Sequence, residues 1–412
     1  MNILGFEVRR INPFVQEKTG FLNANFGGMV GRTPVTETSV FGLSAYWAGV
    51  RRISESVAML PVDVFKKVNG TRSMVDHPVE YLLNAEANYQ TCAFDFSQIL
   101  ITSAINHGNG LAIIERDRFG TPTGLVNVSR EICEPLKYDD ELYWKVEIKE
   151  AANKQESLLV KDRDIINLRG FGIDPVIGLS AIQAHKQNLG LSIATQDFGA
   201  DFFNKGTRID GYIEYSGVLK PETKDAISQQ WANNYGVNGT RGTAILDAGS
   251  KYHRLGLPPQ DAQYIETRKF QKNEIATILG IPSHMINEMD GATFSNIEHQ
   301  SIEFVTYGIG SWIEKIEQEY RRKLLKESEK RNHYFKHNVD RLLRTDVKTK
   351  GEYYRLMTDI GAYTINDVLD LEDRNSVPNG DERYVQINRI PIEQMADYYK
   401  KDIPKKTYQN NE

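Results

Sequence analysis

One helical stretch of this sequence lacks the apolar face that a helix in a globular core needs. Residues 261–280 read DAQYIETRKFQKNEIATILG, and Phe270 is the only large apolar residue between Ile265 and Ile275. A helix that packs into a core carries apolar residues every three or four positions along one side. The pattern therefore predicts a helix that is half exposed in the single chain, or one that packs against other copies of the chain.

A second helical stretch, residues 179–205, is rich in alanine and glycine. A glycine inside a helix costs about 0.5–1 kcal/mol relative to alanine. Gly190 and Gly199 therefore predict that a neighbouring helix comes close.

A half-apolar loop follows the first of these helices. The segment LGIPSHMINEMDGATFSNIEHQ, 279–300, contains Pro282, which ends a helix, and a turn signal at residues 290–291. The run SNIE, which starts at Ser295, matches a capping box at the start of another helix. The sequence thus predicts a loop between two helices, without a core of its own.

The helix after this loop is predicted to be about 30 residues long, or roughly 45 Å at 1.5 Å per residue. Gly308 and Gly310 are expected to kink it. The basic run 321–323 alternates with glutamates, which is typical of a solvated helix face.

The first half of the chain predicts a compact α+β unit. A helix is predicted over 43–60, because apolar residues recur there at three- and four-residue steps and form one buried stripe: Leu43, Tyr46, Trp47, Val50, Ile53, Val57 and Leu60. A second helix is expected over 93–107, and strands are expected over 62–68, 142–150 and 158–169.

Length, charge and cysteine content limit the class of protein. A chain of 412 residues predicts two or three domains, and the net charge of -5 argues against nucleic-acid gripping as the main task. Cys92 and Cys133 form no CxxC motif, which favours a reduced intracellular setting. No apolar run reaches the roughly 18 residues of a spanning helix, and the first ten residues lack a signal-peptide core. We therefore expect no membrane partner and synthesis in a cytoplasm.

The sequence shows no motif for catalysis, cofactor binding or metal binding. The run GFGIDPVIG, 170–178, lacks the spacing of a dinucleotide-binding fingerprint, and VNGTRGT, 237–243, lacks the lysine of a phosphate-binding loop. His284 and His299 have no further metal ligand at a suitable spacing. We therefore expect no enzyme activity, no cofactor and no metal, and a structural role is weakly favoured.

Six stretches carry a family resemblance through their order along the chain. They are YWAGVRRISESVAMLPVDVFKK (46–67), DHPVEYLL (76–83), NGLAIIERDRFGTPTGL (109–125), GADFFNKGTRIDGYIEY (199–215), DAQYIETRKFQKNEIATILGIPSHMI (261–286) and ATFSNIEHQSIEFV (292–305). This succession resembles the portal proteins of long-tailed double-stranded DNA phages, of the lambdoid Hong Kong type. The sequence departs from the pattern at Ser283, where a second proline is expected, and at Gly308 and Gly310, where a stiffer helix is expected.

The resemblance implies an α+β portal fold with wing, stem, clip and crown regions. Twelve copies would form a ring at one capsid vertex, through which double-stranded DNA is packaged and ejected without regard to sequence. The implied partners are the terminase large subunit, the head–tail adaptor and the major capsid protein, and the implied location is the virion after assembly in the host cytoplasm. A net-acidic ring suits this task, since each neutralised phosphate would add affinity and slow the DNA.

The resemblance also assigns regions to the chain. These are an N-terminal arm (1–45), wing (46–178), first stem helix (179–205), clip (206–258), second stem helix (259–281), tunnel loop (282–296), long helix and return to the wing (297–346), crown (347–398) and tail (399–412).

Two sets of site residues follow from these assignments. The tunnel-loop residues expected in the DNA channel, among neighbouring loops or against DNA, are Met285, Ile286, Asn287, Met289, Asp290, Thr293, Phe294 and Asn296. The residues expected to pack between subunits in the stem are Ala184, Gly190, Ala194, Ile265 and Phe270.

Two alternatives remain open at this point. Another ring-forming protein of the virion, such as a head–tail adaptor, is the main one, although such proteins are usually shorter and lack paired stem helices. A DNA-processing enzyme of the packaging machinery is the other, and it would need a carboxylate cluster or a phosphate loop.

Overall fold

The computed structural model of the chain describes residues 2–3, 6–7, 34–149, 155–172, 174–204, 211–215, 220–222, 225, 229, 250–254, 261–288, 300–339, 347–372 and 374–383. The chain divides into two compact units, residues 1–339 and 340–412.

The described helices are numbered in chain order. In the first unit they are α1 (Glu37–Phe41), α2 (Ser44–Ala58), α3 (Pro78–Asn84), α4 (Ala93–His107), α5 (Ala181–Ala184), α6 (Lys186–Asn204), α7 (Asp261–Leu279) and α8 (Gly310–Lys323). In the second unit they are α9 (Val347–Asp359) and α10 (Ile365–Leu371). Short 3-10 turns cover Arg130–Ile132, Asp162–Asp164 and Ser283–Ile286, and a π-helical segment covers Phe304–Ile309.

The described strands all lie in the first unit. They are β1 (Asn2–Ile3), β2 (Phe6–Glu7), β3 (Val62–Val68), β4 (Thr71–Met74), β5 (Glu86–Asn88), β6 (Thr91–Cys92), β7 (Asn109–Arg116), β8 (Pro122–Val128), β9 (Cys133–Tyr138), β10 (Glu141–Lys149), β11 (Gln155–Lys161), β12 (Ile165–Arg169), β13 (Gly211–Tyr215), β14 (Ser250–Arg254) and β15 (His333–His337). The three-stranded sheets have the orders β11-β10-β9, β12-β7-β8 and β15-β3-β4, and all their pairings are antiparallel.

The core of the first unit lies around α2, α4 and β7. The predicted apolar stripe on α2 is confirmed, with one correction: Trp47 is exposed, whereas the other six residues of the stripe are buried. A second apolar cluster surrounds the buried Trp144 of β10, where the sheets of β7 and β10 meet; its other members are Leu111, Ile113, Cys133, Val146, Leu158, Val160 and Ile165. The predicted α+β class is confirmed.

The strand predicted over 158–169 is in fact two strands. The run Asp162–Asp164 forms a 3-10 turn between β11 and β12. β11 pairs with β10, whereas β12 pairs with β7 in another sheet. The polar run is the sequence signal for this break.

The long helix after the loop brings the chain back to the first half of the sequence. β15, which follows α8, pairs with β3, so that Tyr334 lies opposite Phe65 and His337 opposite Val62. The two aromatic rings stack with centroids 5.7 Å apart. The sheet of β15, β3 and β4 therefore joins strands from the beginning and the end of residues 34–339.

Within the region predicted to be the clip, the described elements are few. β13 pairs with β14 in an antiparallel ladder from Gly211–Arg254 to Tyr215–Ser250. Residues 243–248 of this region lie outside the described residues.

Candidate subunit interface and channel loop

Helices α6 and α7 pack against each other within the chain. The Gln271 side-chain amide donates to Thr195 Oγ1 at 2.7 Å, and the Tyr264 hydroxyl donates to the Thr195 carbonyl at 3.4 Å. A Cβ atom on Gly199 would lie 1.9 Å from the Tyr264 hydroxyl oxygen. The prediction that a neighbouring helix comes close is confirmed at Gly199.

The residues predicted to pack between subunits differ in their exposure. Ile265 and Phe270 on α7 are 54% and 63% exposed, so both retain apolar surface in the single chain. Ala184 is exposed at the end of α5, and Ala194 is partly buried. Gly190 is buried in its own chain. Its packing between subunits stays a prediction.

Sequence reasoning missed two further apolar residues on α6. Leu191 and Phe198 are 53% and 52% exposed. They are seven residues apart, which places them on the same side of a helix. The spacing is visible in the sequence, but α6 also carries the buried Leu189 and Ile193. Periodicity alone therefore did not show which side faces outward.

The start of the predicted tunnel loop is fixed to the core of its own chain. α7 ends at Leu279 and is followed by Gly280, whose φ of +67° lies in the left-handed region that glycine adopts without strain. Ile281, which precedes the turn Ser283–Ile286, and Ile286, its last residue, are buried. A Cβ atom on Gly49 of α2 would lie 2.8 Å from Ile281 Cδ1. The turn therefore docks on α2.

Ile286 is buried in this docked turn, and its place in the channel stays a prediction. Met285 is partly buried, and Asn287 is exposed with a φ of +62°. The remaining predicted loop residues, Met289, Asp290, Thr293, Phe294 and Asn296, lie outside the described residues.

Polar contacts hold both ends of the loop region. The Lys272 ammonium lies 3.3 Å from a Glu288 carboxylate oxygen. His284 Nδ1 lies 2.8 Å from Gln300 Oε1, at the first described residue of the next helix. His284 therefore serves a structural contact, and both ends of the loop are tied close to α7.

The predicted kink in the long helix is a π-helical segment. Phe304–Ile309 has this conformation, and α8 continues from it without a break. A Cβ atom on Gly308 would lie 2.7 Å from a Phe304 ring carbon and 3.3 Å from the Gly280 carbonyl oxygen. The segment that includes Gly308 is thus the part of the helix that packs closely on the turn ending α7.

The C-terminal end of α8 is anchored to the sheets by buried charges. The Lys323 ammonium lies 2.6 Å from Asp162 Oδ2, and its side chain is almost fully buried. The Arg116 guanidinium donates to the Lys323 carbonyl at 2.6 Å. The prediction that the basic run 321–323 is a solvated face is therefore wrong for Lys323.

At this anchor, burial and the neighbouring carboxylates shift the pKa of Lys323 in opposite directions. Burial, the largest influence, lowers the pKa of the Lys323 ammonium, and Glu319 and Asp162 offset it only in part. Glu319 also accepts a hydrogen bond from the Asn167 amide of β12 at 3.0 Å. The C-terminal end of α8 is therefore held to β7, β12 and the turn Asp162–Asp164 through both side chains and backbone.

The described residues hold no group of three or more His, Cys, Asp or Glu side chains placed to bind a metal ion. None of the described helices is both long and apolar enough to cross a membrane.

Comparison with known proteins identifies a family for this architecture. The family model described as phage portal protein matches residues 44–373. The chain is 27% identical over 390 residues to the portal protein of Enterobacteria phage HK97, covering 93% of this chain and 90% of that protein. It is 29% identical over 411 residues to the probable portal protein of Streptomyces phage phiC31, covering 94% and 85%.

Solved structures share the fold. The crystal structure of an HK97 family phage portal protein from Corynebacterium diphtheriae aligns with a TM-score of 0.56 at 16% identity, covering 76% of this chain and 99% of that one. A chain in the neck of a native gene transfer agent particle, computed with C12 symmetry, aligns with a TM-score of 0.54 at 18% identity, covering 82% and 92%.

Proposed function

Because the chain belongs to the phage portal protein family, we propose that its copies form a ring around a channel for double-stranded DNA at one vertex of a capsid. The observation that carries this proposal is the apolar surface left on the helix pair α6 and α7. Its members are Leu191, Phe198, Ile265 and Phe270, each more than half exposed.

In a ring, neighbouring copies would cover the exposed part of these four side chains. Fully burying a Leu, Ile or Phe side chain stabilises by about 1.5–3 kcal/mol relative to leaving it exposed. Four half-exposed side chains on each of many identical subunits therefore add up to a strong association. The C12 symmetry of the relative's neck structure supports a ring of twelve copies.

The proposed ring also assigns a function to the loop between α7 and the long helix. We place residues 287–296 in the channel, with Asn287, Thr293 and Asn296 against DNA and with Met289 and Phe294 packed among neighbouring loops. The support is the way that the ends are held: Glu288 pairs with Lys272, and Gln300 contacts His284. Because both ends of the loop are fixed, its middle would be held at one position in the channel.

The other regions take their roles from the same proposal. Residues 206–258 would dock the terminase large subunit during packaging and the head–tail adaptor afterwards, and the wing would contact the major capsid protein. Assembly would take place in the host cytoplasm. The protein would be a structural component of the virion and not an enzyme. The family match favours this proposal over a head–tail adaptor.

The experiment is native mass spectrometry combined with negative-stain imaging of the purified chain. We expect a closed ring with a central hole. Phe270→Ser should lower the ring fraction, because it removes apolar surface from α7. Met74→Ser is the matched control, since Met74 is 60% exposed but lies on β4. A strict monomer under all conditions, including inside particles, would contradict the proposal.

A further inference from the structure

The connection between β12 and α5 forms a closed loop. It runs from Gly170 to Ser180, and all of it except residue 173 is described. The Leu179 amide donates to the Phe171 carbonyl at 2.6 Å, so the two ends of the loop meet. The Gly170 amide donates to the Gly108 carbonyl at 2.8 Å. A short loop whose ends are close and whose own side chains pack it is an Ω-loop, and such loops are frequently functional.

Side-chain hydrogen bonds fix the interior of this loop. Asp174 Oδ1 accepts from the Val176 amide at 2.7 Å. The Val176 carbonyl accepts from the side-chain amides of Asn109 and Asn167, at 2.9 and 3.0 Å. The Gly178 amide donates to Asn109 Oδ1 at 3.0 Å, and Asn109 is fully buried. The loop is therefore held by side chains of β7 and β12.

Close backbone contacts leave no room for side chains at two glycines in the base of the loop. A Cβ atom on Gly178 would lie 2.0 Å from the Gly108 carbonyl oxygen. One on Gly172 would lie 3.1 Å from Gly178 Cα. These contacts and the hydrogen bonds hold the loop in one shape.

This fixed loop exposes a large aromatic side chain. Phe171 is 78% exposed. Beside it, the Lys315 ammonium donates to the Gly170 carbonyl at 3.0 Å and lies 5.3 Å from the centroid of the Trp312 ring. An aromatic side chain on a rigid loop loses little conformational entropy when it binds, which suits it as the anchor of an interface.

We propose that Phe171 is an anchor residue that inserts into the neighbouring copy of this chain in the ring. The proposal rests on the proposed ring. Along the chain the loop leads into α5 and then α6, which carries Leu191 and Phe198, two of the residues assigned to subunit packing. In a cyclic ring each interface joins two different surfaces, so that one copy supplies the anchor and the next supplies the apolar site that receives it.

The first test compares Phe171→Ser with wild type and with Phe119→Ser. Phe119 is 70% exposed on the turn between β7 and β8, which makes it a matched control. We expect Phe171→Ser to raise the subunit concentration at which half of the chains are in rings by about tenfold or more, as the loss of one buried Phe predicts. The melting temperature of the dissociated subunit should not change. Phe119→Ser should assemble like wild type.

The second test places a photo-crosslinking phenylalanine analogue at position 171 of the full chain. We expect illumination to yield cross-links between two copies. Rings that form normally with Phe171→Ser, or cross-links only within one chain, would overturn the anchor and leave the ring in place. A wild-type chain that never assembles would overturn the ring proposal and the anchor together.

Discussion

At the scale of single residues, Glu317 shows how a buried charge is kept on α8. Its Oε1 accepts from the His337 backbone amide at 2.8 Å, and its Oε2 accepts from the Lys336 ammonium at 2.7 Å. Burial, the largest single influence, raises the pKa of the Glu317 carboxyl, but the hydrogen bonds from His337 and Lys336 outweigh it. The net pKa is therefore lowered, and the folded state favours the ionised carboxylate.

The lowered pKa of Glu317 predicts a dependence of stability on pH. A carboxyl whose folded pKa lies below its unfolded value stabilises the fold above the unfolded pKa, which is about 4.3 for glutamate, and this share is lost as the pH falls through the folded pKa. Glu317→Gln should therefore lower the melting temperature near pH 7, and the difference from wild type should shrink below about pH 4. Thermal melts across a pH series measure this.

A matched control for this prediction is Glu327→Gln, because the Glu327 side chain is 89% exposed. Its melting curve should follow wild type at every pH. A difference between Glu317→Gln and wild type that stays constant down to pH 3 would show that the carboxylate charge does not matter here.

Single residues also show that the sequence does not predict the burial of every side chain. The basic run 321–323 has the alternating charges of a solvated face, but Lys323 is buried against Asp162. The pattern of charges describes the sequence of one helix. The burial of a residue on that helix depends on which sheet packs against it. The same holds for Ile286, which is buried in the turn that docks on the distant α2.

At the scale of elements, the close pair of α6 and α7 depends on Gly199. Because Gly199 has no side chain, the Tyr264 hydroxyl can lie close to the backbone of α6. The sequence predicted a close neighbour from the cost of glycine in a helix, and it predicted the sparse apolar face of α7. It did not predict that α6 and α7 contact each other within one chain, because helix pairing follows from three-dimensional packing.

Gly199→Ala should destabilise the fold, because the added methyl group overlaps the Tyr264 hydroxyl. Overpacking of this kind costs about 1–3 kcal/mol, and we expect a lower melting temperature. Adding Tyr264→Ala should recover part of the loss. Gly351→Ala is the control, since a Cβ at this helical glycine of α9 meets no atom within 4 Å. It should be neutral or stabilising. Equal melting temperatures for Gly199→Ala and wild type would refute the close approach.

The π-helical segment Phe304–Ile309 is the element that the sequence indicated least clearly. Gly308 and Gly310 predicted a kink, and the structure has a π-helical segment at this place. Glycine signals that a helix is irregular, but the type of irregularity depends on what packs there. In this chain that neighbour is the turn at Gly280, whose carbonyl lies close to Gly308.

At the scale of the whole molecule, the order of motifs in the sequence was more informative than any single motif. The α+β class and the portal family followed from that order, and both are confirmed. The packing residues were harder to predict: Ile265 and Phe270 are exposed, but Leu191 and Phe198 were missed. Exposure of an apolar residue is a property of the folded subunit, and a sequence pattern does not distinguish an outward apolar face from an inward one.

The last prediction concerns DNA in the channel. Deleting residues 289–292 removes the middle of the proposed loop but keeps the docked turn, including the buried Ile286 and the contact of Glu288 with Lys272. Rings should therefore still form, which native mass spectrometry checks on the same preparation. Particles built with these rings should hold much less DNA, because the shortened loop would no longer hold Thr293 and Asn296 against it. Phe294→Ala should give a milder defect, since it removes only packing between loops. The DNA content of the particles measures both effects, and full heads of normal stability from the deletion would show that this loop does not act on DNA.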